Sequence, residues 1–231
     1  MKNRKDMINK KNKEDKIMIL IDFDKTITNK DSTDELVRIY NEDEVLNTQK
    51  SFQNKEINIK EYLSKLLGLL ELSEEEFKID IVKNVEVDRY FVEFLNFVKL
   101  KKYEYRIVSA ATCENIDAVL EYNNIFIDKN KIYSNNLIFE DNKLKVEFPY
   151  EKNCGFCGIC KKSILGKYKD MKYKIIYIGD GSSDICASGY ADILFAKKGY
   201  GLEKYCIAEN IDYYGYKNFR NIIEKLEESI I

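Results

Sequence analysis

The sequence predicts an α/β protein: a Rossmann-like, mostly parallel sheet flanked by helices, with a small helical cap inserted after the first strand and a β-hairpin excursion. Three observations carry this expectation. Short apolar runs recur along the chain and stop at acidic, glycine or serine residues. Helical periodicities lie between those runs, and such alternation implies right-handed βαβ units on a mainly parallel sheet. One helical stretch is too long to be a single crossover, and it follows the first strand directly.

Taken in order, Lys16 to Phe23 (KIMILIDF) suits a strand buried on both faces whose C-terminal end opens into a site. Similar runs are Tyr105 to Val108 before Ser109, Lys174 to Ile178 before Gly179-Asp180, and Ile193 to Phe195 after Asp192. Helices are expected at Arg89 to Leu100, Glu114 to Tyr122 and Cys160 to Tyr168. Residues 31–86 read as almost wholly helical, with Leu and Ile three and four apart in EYLSKLLGLLEL and Ser73 capping EEEF. Residues 131–148 alternate about Asp141-Asn142-Lys143, the pattern of a β-hairpin, and the lone Pro149 marks the return to the main domain. The expected division is a basic flexible tail at 1–16, a core at 17–30 and 87–231, and a cap at 31–86.

Composition narrows the chemistry. Of the 231 residues 45% are hydrophobic, enough for a buried core, and a formal charge of −2 gives no reason to expect nucleic acid or an anionic membrane as partner. No apolar stretch reaches the ~20 residues that span a bilayer. The charged first sixteen residues lack the apolar region of a signal peptide and read as a solvated tail. The expectation is a cytoplasmic protein whose six cysteines are reduced. Histidine is absent, which removes Ser-His-Asp and Cys-His catalysis, histidine-ligated zinc and a histidine base. Acid–base work therefore falls to carboxylates, Lys, Tyr or Cys.

Asp22 and Asp24, in Asp22-Phe23-Asp24-Lys25-Thr26, stand two apart at a strand end, so both side chains point into the crevice beyond the sheet edge. Two carboxylates there repel each other unless a cation is present, which makes bound Mg²⁺ the natural inference. A carboxylate can take a phosphoryl group while a second protonates the leaving oxygen. The plainer reading is an acidic turn. Gly179-Asp180-Gly181-Ser182-Ser183-Asp184 closes another strand with a tight turn and two more carboxylates, and a solvent turn looks much the same. Both acidic ends fall in one βα alternation, so they should converge. Ser109 ends a third strand, where its hydroxyl and the following backbone N–H, that of Ala110, could hold phosphate oxygens. Lys161 or Lys162 supplies a cation.

Cys154, Cys157 and Cys160 form C-x2-C-x2-C, but Ile164 and Leu165 stand where an iron–sulfur run needs its last cysteine and proline. Three thiolates with an outside ligand could take zinc; the alternative is small semi-buried thiols in a glycine-rich loop. Gly166-Lys167 is followed by Tyr168, and Gly199-Tyr200-Gly201 meets Lys204, so neither a P-loop nor a dinucleotide fingerprint is present.

The order DFDKT, Ser109, lysine, GDGSSD resembles the haloacid-dehalogenase-type phosphatase superfamily over residues 17–200 or so. CGICKKSIL and ADILFAKKGY look most like its branch containing 2-hydroxy-3-keto-5-methylthiopentenyl-1-phosphate phosphatase, beside phosphoserine and phosphoethanolamine/phosphocholine phosphatases. The resemblance implies a Mg²⁺-dependent hydrolase of a small phosphorylated metabolite. Asp22 would be the nucleophile and Asp24 the acid and then the base. Thr26 would brace the loop, while Ser109, Ala110 and Lys161 would hold the phosphoryl oxygens. Lys161 is preferred over Lys162 because it directly follows Cys160. Asp180 would bind the metal with Asp22 and the Asp24 carbonyl, and Asp184 would support that shell. Ser183 stands where some relatives carry Asn. Asp31, Ser32 and Asp34 open the cap as candidate leaving-group contacts, or simply as an N-cap with first-turn acids. Phosphotransfer to another alcohol, and a cysteine metal or redox module on a degenerate core, are the competing readings.

Overall fold

The computed structural model describes residues 16–152 and 157–229. Residues 1–15 of the expected tail and Cys154 of the cysteine run lie outside the described residues. Strand β1 (Ile17–Ile21) is the run IMILI, and all of its side chains are buried. Such a strand needs helices on both faces of its sheet. Ile17, Ile19 and Ile21 face one apolar cluster with α5 (Phe91–Leu100), α6 (Cys113–Tyr122) and α10 (Phe219–Ser229). Met18 and Leu20 face a second cluster with α7 (Lys161–Asp170), α8 (Ile185–Ser188) and α9 (Gly201–Ala208).

The other strands are β2 (Glu104–Thr112), β3 (Ile132–Glu140), β4 (Lys143–Glu147), β5 (Lys174–Gly179), β6 (Ile193–Lys197) and β7 (Tyr214–Tyr216). They form one seven-stranded sheet in the order β4-β3-β2-β1-β5-β6-β7. Every neighbouring pair is parallel except β3 with β4. Strand order departs in opposite directions on the two sides of β1, which opens a crevice at the carboxyl ends of β1, β2 and β5. In register, Ile21 lies between Ile107 and Ile178, so the residues that follow these three positions meet at one edge.

Four helices make the inserted cap: α1 (Ser32–Tyr40), α2 (Glu42–Gln53), α3 (Ile59–Gly68) and α4 (Glu74–Ile81). Asn58 and Ser73 close capping boxes at α3 and α4, satisfying N–H groups that a helix start leaves open. Leu36, Val37, Leu66 and Phe77 join the apolar cluster that contains Phe23 and Ile27, so cap and core share one interior. The insert's ends are bound together: Asn29 N donates to Glu86 O at 2.9 Å, Asp88 N donates to Ile27 O at 2.8 Å, and Thr28 bridges Val87. The β3–β4 hairpin leaves the sheet after Asn135 and turns at Asp141-Asn142, both at positive φ. Its role is to brace the cap. Leu72 N donates to Asn142 O at 2.8 Å, and the Phe77 and Phe139 rings meet edge to face at 5.5 Å.

Three features depart from the sequence expectation. β2 does not stop at Val108 but continues through Ser109 to Thr112, with a register shift that frees Ser109 to Ala111 from the ladder before Thr112 pairs again with Asn135 of β3. Helix α7 begins at Lys161, and Cys160 is the residue before it. β7, α9 and α10 carried no expectation; β7 is only Tyr-Gly-Tyr, too short for a periodicity. Among the described residues no helix is long and apolar enough to cross a membrane.

Candidate active site

Asp22 directly follows β1, and its N–H still extends the ladder by donating to Ile178 O at 2.9 Å. Its side chain turns back so that Oδ1 accepts from Phe23 N at 2.8 Å, while Lys161 Nζ lies 2.8 Å from Oδ2. Lys161 is 2% exposed and comes from the first turn of α7. The same ammonium sits 2.6 Å from Asp184 Oδ1 and donates to Ser183 Oγ at 3.3 Å. Neighbouring Lys162 is exposed against the Tyr190 ring and takes no part.

Asp184 sits at the end of a 3-10 turn, Ser182–Asp184, and its carboxylate is enclosed by donors. Oδ2 accepts from Asp180 N at 2.9 Å and Gly181 N at 3.0 Å, and Oδ1 accepts from Tyr177 OH at 2.5 Å. Burial works against its charge, but Lys161 and these donors prevail and hold it below the usual carboxylate range. Gly179 is required for this wrapping, because a Cβ there would stand 2.7 Å from Asp184 Cγ. Thr26 Oγ1 donates to Asp180 Oδ1 at 3.4 Å, and Tyr216 OH donates to Gly179 O at 3.3 Å.

Asp22, Asp180 and Asp184 each offer a carboxylate oxygen within 4.8 Å of the others, all three buried. Against three carboxylates, Lys161 is the ammonium in contact, pairing with Asp22 and Asp184, while Lys25 acts on Asp180 without touching it. Burial accordingly pushes Asp22 up to about 7 even with Lys161 beside it, and holds Asp180 well above the carboxylate range. An all-oxygen donor set with excess negative charge fits a hard divalent cation. Asp24 stands apart from this cluster. It is half-buried, and its Oδ1 accepts from Ser32 N at 2.9 Å. Burial and the nearby Asp31 carboxylate push its pKa well above the ordinary range.

These groups open into a cavity of about 490 Å³ between core and cap. Asp22, Asp24, Ser109, Ala110, Asp180 and Ser183 are among the residues of its floor. Ser109 Oγ accepts from Ala111 N at 3.1 Å, and Asn135 Nδ2 donates to Ala110 O at 2.6 Å, so the freed stretch of β2 is held in place. Asp31 and Asp34 also line the cavity, whereas Ser32 lies beneath it, fully buried. Asp31 is the N-cap of α1 and pairs with Lys25 at 3.1 Å. Asp34 accepts from Tyr62 OH and, at 2.8 Å, from Gln49 Nε2. Cys157 and Cys160 are half-buried near the start of α7. Lys25, Gln49, Tyr62, Tyr177 and Tyr216 were not singled out from sequence; in a chain with 17 tyrosines and 38 Lys and Arg residues, nothing local marks them.

Comparison with known proteins agrees with this arrangement. A family model described as "Putative Phosphatase" matches residues 17–216. The 2-hydroxy-3-keto-5-methylthiopentenyl-1-phosphate phosphatase of Bacillus velezensis is 28% identical over 78% of this chain and 77% of that protein. The enzyme of that name from Bacillus thuringiensis subsp. konkukian is 26% identical over 91% of this chain and 96% of its own length. A phosphoserine phosphatase, solved as a phospho-aspartyl intermediate analogue, shares the fold with a TM-score of 0.70 at 24% identity, covering 91% of this chain and 99% of that one. With the family model spanning sheet, cap and crevice in residues 17–216, the chain belongs to the "Putative Phosphatase" family and is a haloacid-dehalogenase-type phosphatase.

Proposed function

We propose that this phosphatase hydrolyses a small phosphorylated metabolite with Mg²⁺ and through an aspartyl-phosphate on Asp22. The observation that carries the reading is the placement of Asp22: it is fixed by Phe23 N and Lys161, faces the cavity, and has a second carboxyl, Asp24, two residues on. Asp22 attacks phosphorus, the P–O bond to the alcohol breaks, and Asp24 gives its proton to the departing oxygen. Asp24 suits that role because burial and Asp31 favour its protonated form. Once the alcohol has left, ionised Asp24 takes a proton from water, which attacks the acyl-phosphate and restores Asp22. Ser109 and the backbone of Ala110 bind phosphoryl oxygens, and Lys161 offsets their charge. Asp22 and Asp180, with the Asp24 carbonyl, would hold the Mg²⁺, with Asp184 supporting that shell through its bonds to the Asp180 and Gly181 N–H groups; when bound the ion would neutralise charge on carboxylate and phosphoryl oxygens.

The cap selects the alcohol. Phe52, Ile59 and Leu63 give its side of the cavity an apolar part, and Asp34, Gln49 and Tyr62 a polar one. Among the described residues lining the cavity Lys25 is the one cation, and it is engaged with Asp31, so a carboxylate on the leaving alcohol finds no uncommitted cation to pair with. That favours the phosphoketone named for the Bacillus relatives, or an aminoalkyl phosphate, over phosphoserine. A panel of these phosphomonoesters tests the reading by phosphate release. Turnover is expected with Mg²⁺, lost with EDTA and lost in Asp22→Asn; undiminished turnover in Asp22→Asn removes Asp22 as nucleophile.

A further inference from the structure

We propose that Asn115, on α6, is a positioning residue for Asp24, acting through Ser32 and tying the root of the cap to the phosphoryl-binding strand. The inference rests on the reading of Asp24 as the general acid.

Asn115 is fully buried, where an unpaired amide is costly, and here every polar atom of its side chain is engaged. Its Nδ2 donates to Ser32 Oγ at 2.9 Å and to Thr33 Oγ1 at 3.1 Å, across 83 and 82 residues of sequence. Its Oδ1 accepts from Thr112 Oγ1 at 2.7 Å. Ser32, Thr33 and Thr112 are themselves almost wholly enclosed. The next link is the Ser32 N–H, which donates to Asp24 Oδ1 at 2.9 Å.

Two consequences follow. The Ser32 contact occupies Oδ1 of Asp24 as an acceptor, which leaves Oδ2 to carry the proton for the leaving oxygen. Thr112 ends the strand segment that bears Ser109 and Ala110, so one amide sets the acid relative to the backbone that holds the phosphoryl group. The anchor engages the first two residues of α1, so this turn stays with the core whatever the rest of the cap does.

A residue that merely stabilises the fold would slow all substrates alike. One that aligns the acid matters only where the leaving oxygen needs a proton. The test compares kcat/KM of the full chain in Mg²⁺ for 4-nitrophenyl phosphate, whose phenolate departs unaided, with that for the best alkyl phosphate of the panel. Asn115→Ala is expected to lose roughly tenfold or more on the alkyl ester, part of what general acid catalysis contributes, and far less on the aryl ester. Asp24→Asn, run alongside, is expected to show the same selectivity to a greater degree. Ser32→Ala, which removes the hydroxyl but keeps the N–H, is expected to show it to a lesser degree, and decides the matter if Asn115→Ala does not fold. Equal losses on both esters in Asn115→Ala and Ser32→Ala, or none, with a selective Asp24→Asn, would overturn the role of Asn115 alone. An unselective Asp24→Asn would overturn the acid assignment and this inference with it.

Discussion

Replacing Lys161 by Met isolates the electrostatics of the site. The ammonium is buried, 2.8 Å from Asp22 and 2.6 Å from Asp184, and the methionine keeps most of the stem's volume. Burial disfavours the lysine's charge, but Asp184 and Asp22 outweigh it and hold the ammonium protonated above the ordinary lysine range. Removing it leaves Asp22 and Asp184 without the ammonium that pairs with both, beside the buried Asp180. Breaking a buried pair costs about 3–5 kcal/mol, since the remaining charge has lost its partner. For a chain of this size that corresponds to a drop in Tm of about 6–20 °C. Phosphate release should fall by on the order of 10²–10³, the cost of removing one donor to transition-state charge. Thermal unfolding by circular dichroism, in EDTA and in Mg²⁺, reads the stability effect. Mg²⁺ should raise the variant's Tm more than the wild type's, because the emptied site carries more net negative charge. An EDTA Tm within about 2 °C of wild type, less than 1 kcal/mol of effect, would refute this reasoning.

Other consequences follow from single contacts. Burial and then Asp31 raise Asp34 to about 6, above its unfolded value, so the fold favours the protonated carboxyl. The sign is that stability falls as pH rises from about 4 to about 6, by about 3 kcal/mol for this group. Asp34→Asn should flatten that part of the stability–pH curve in urea titrations, with Tyr62 still donating to Oδ1 and the Gln49 amide turned to accept; an unchanged slope contradicts it. Gly179→Ala places a methyl 2.7 Å from Asp184 Cγ and should cost about 1–3 kcal/mol in denaturant unfolding while displacing the acidic turn. Full stability in that variant would show that the turn has slack.

How far the sequence speaks depends on the range of each interaction. β1, β5 and β6 were legible because a strand buried on both faces is an unbroken apolar run, and the hairpin because Asp141 and Asn142 tolerate positive φ. The convergence of Asp22 with Asp180 and Asp184 followed from parallel strand order alone. Asp31 did cap α1, and Asp31 and Asp34 do face the cavity; Ser32 instead supports Asp24 from below. What stayed hidden were groups whose role is set by partners far along the chain. Asn115 meets Ser32 across 83 residues, and Tyr177 meets Asp184 from within an ordinary strand. The continuation of β2 beyond Val108 was hidden too, since its register shift arises between strands and not within one.

If the proposed chemistry holds, Asp22 becomes phosphorylated during turnover. The most direct measurement is mass spectrometry of acid-quenched protein after rapid mixing with Mg²⁺ and a turned-over phosphomonoester, followed by peptide mapping. One added phosphoryl group is expected, located on Asp22, sensitive to hydroxylamine and absent from Asp22→Asn. A phosphoryl group on any other residue, or Asp22→Asn turning over as wild type does, would contradict it.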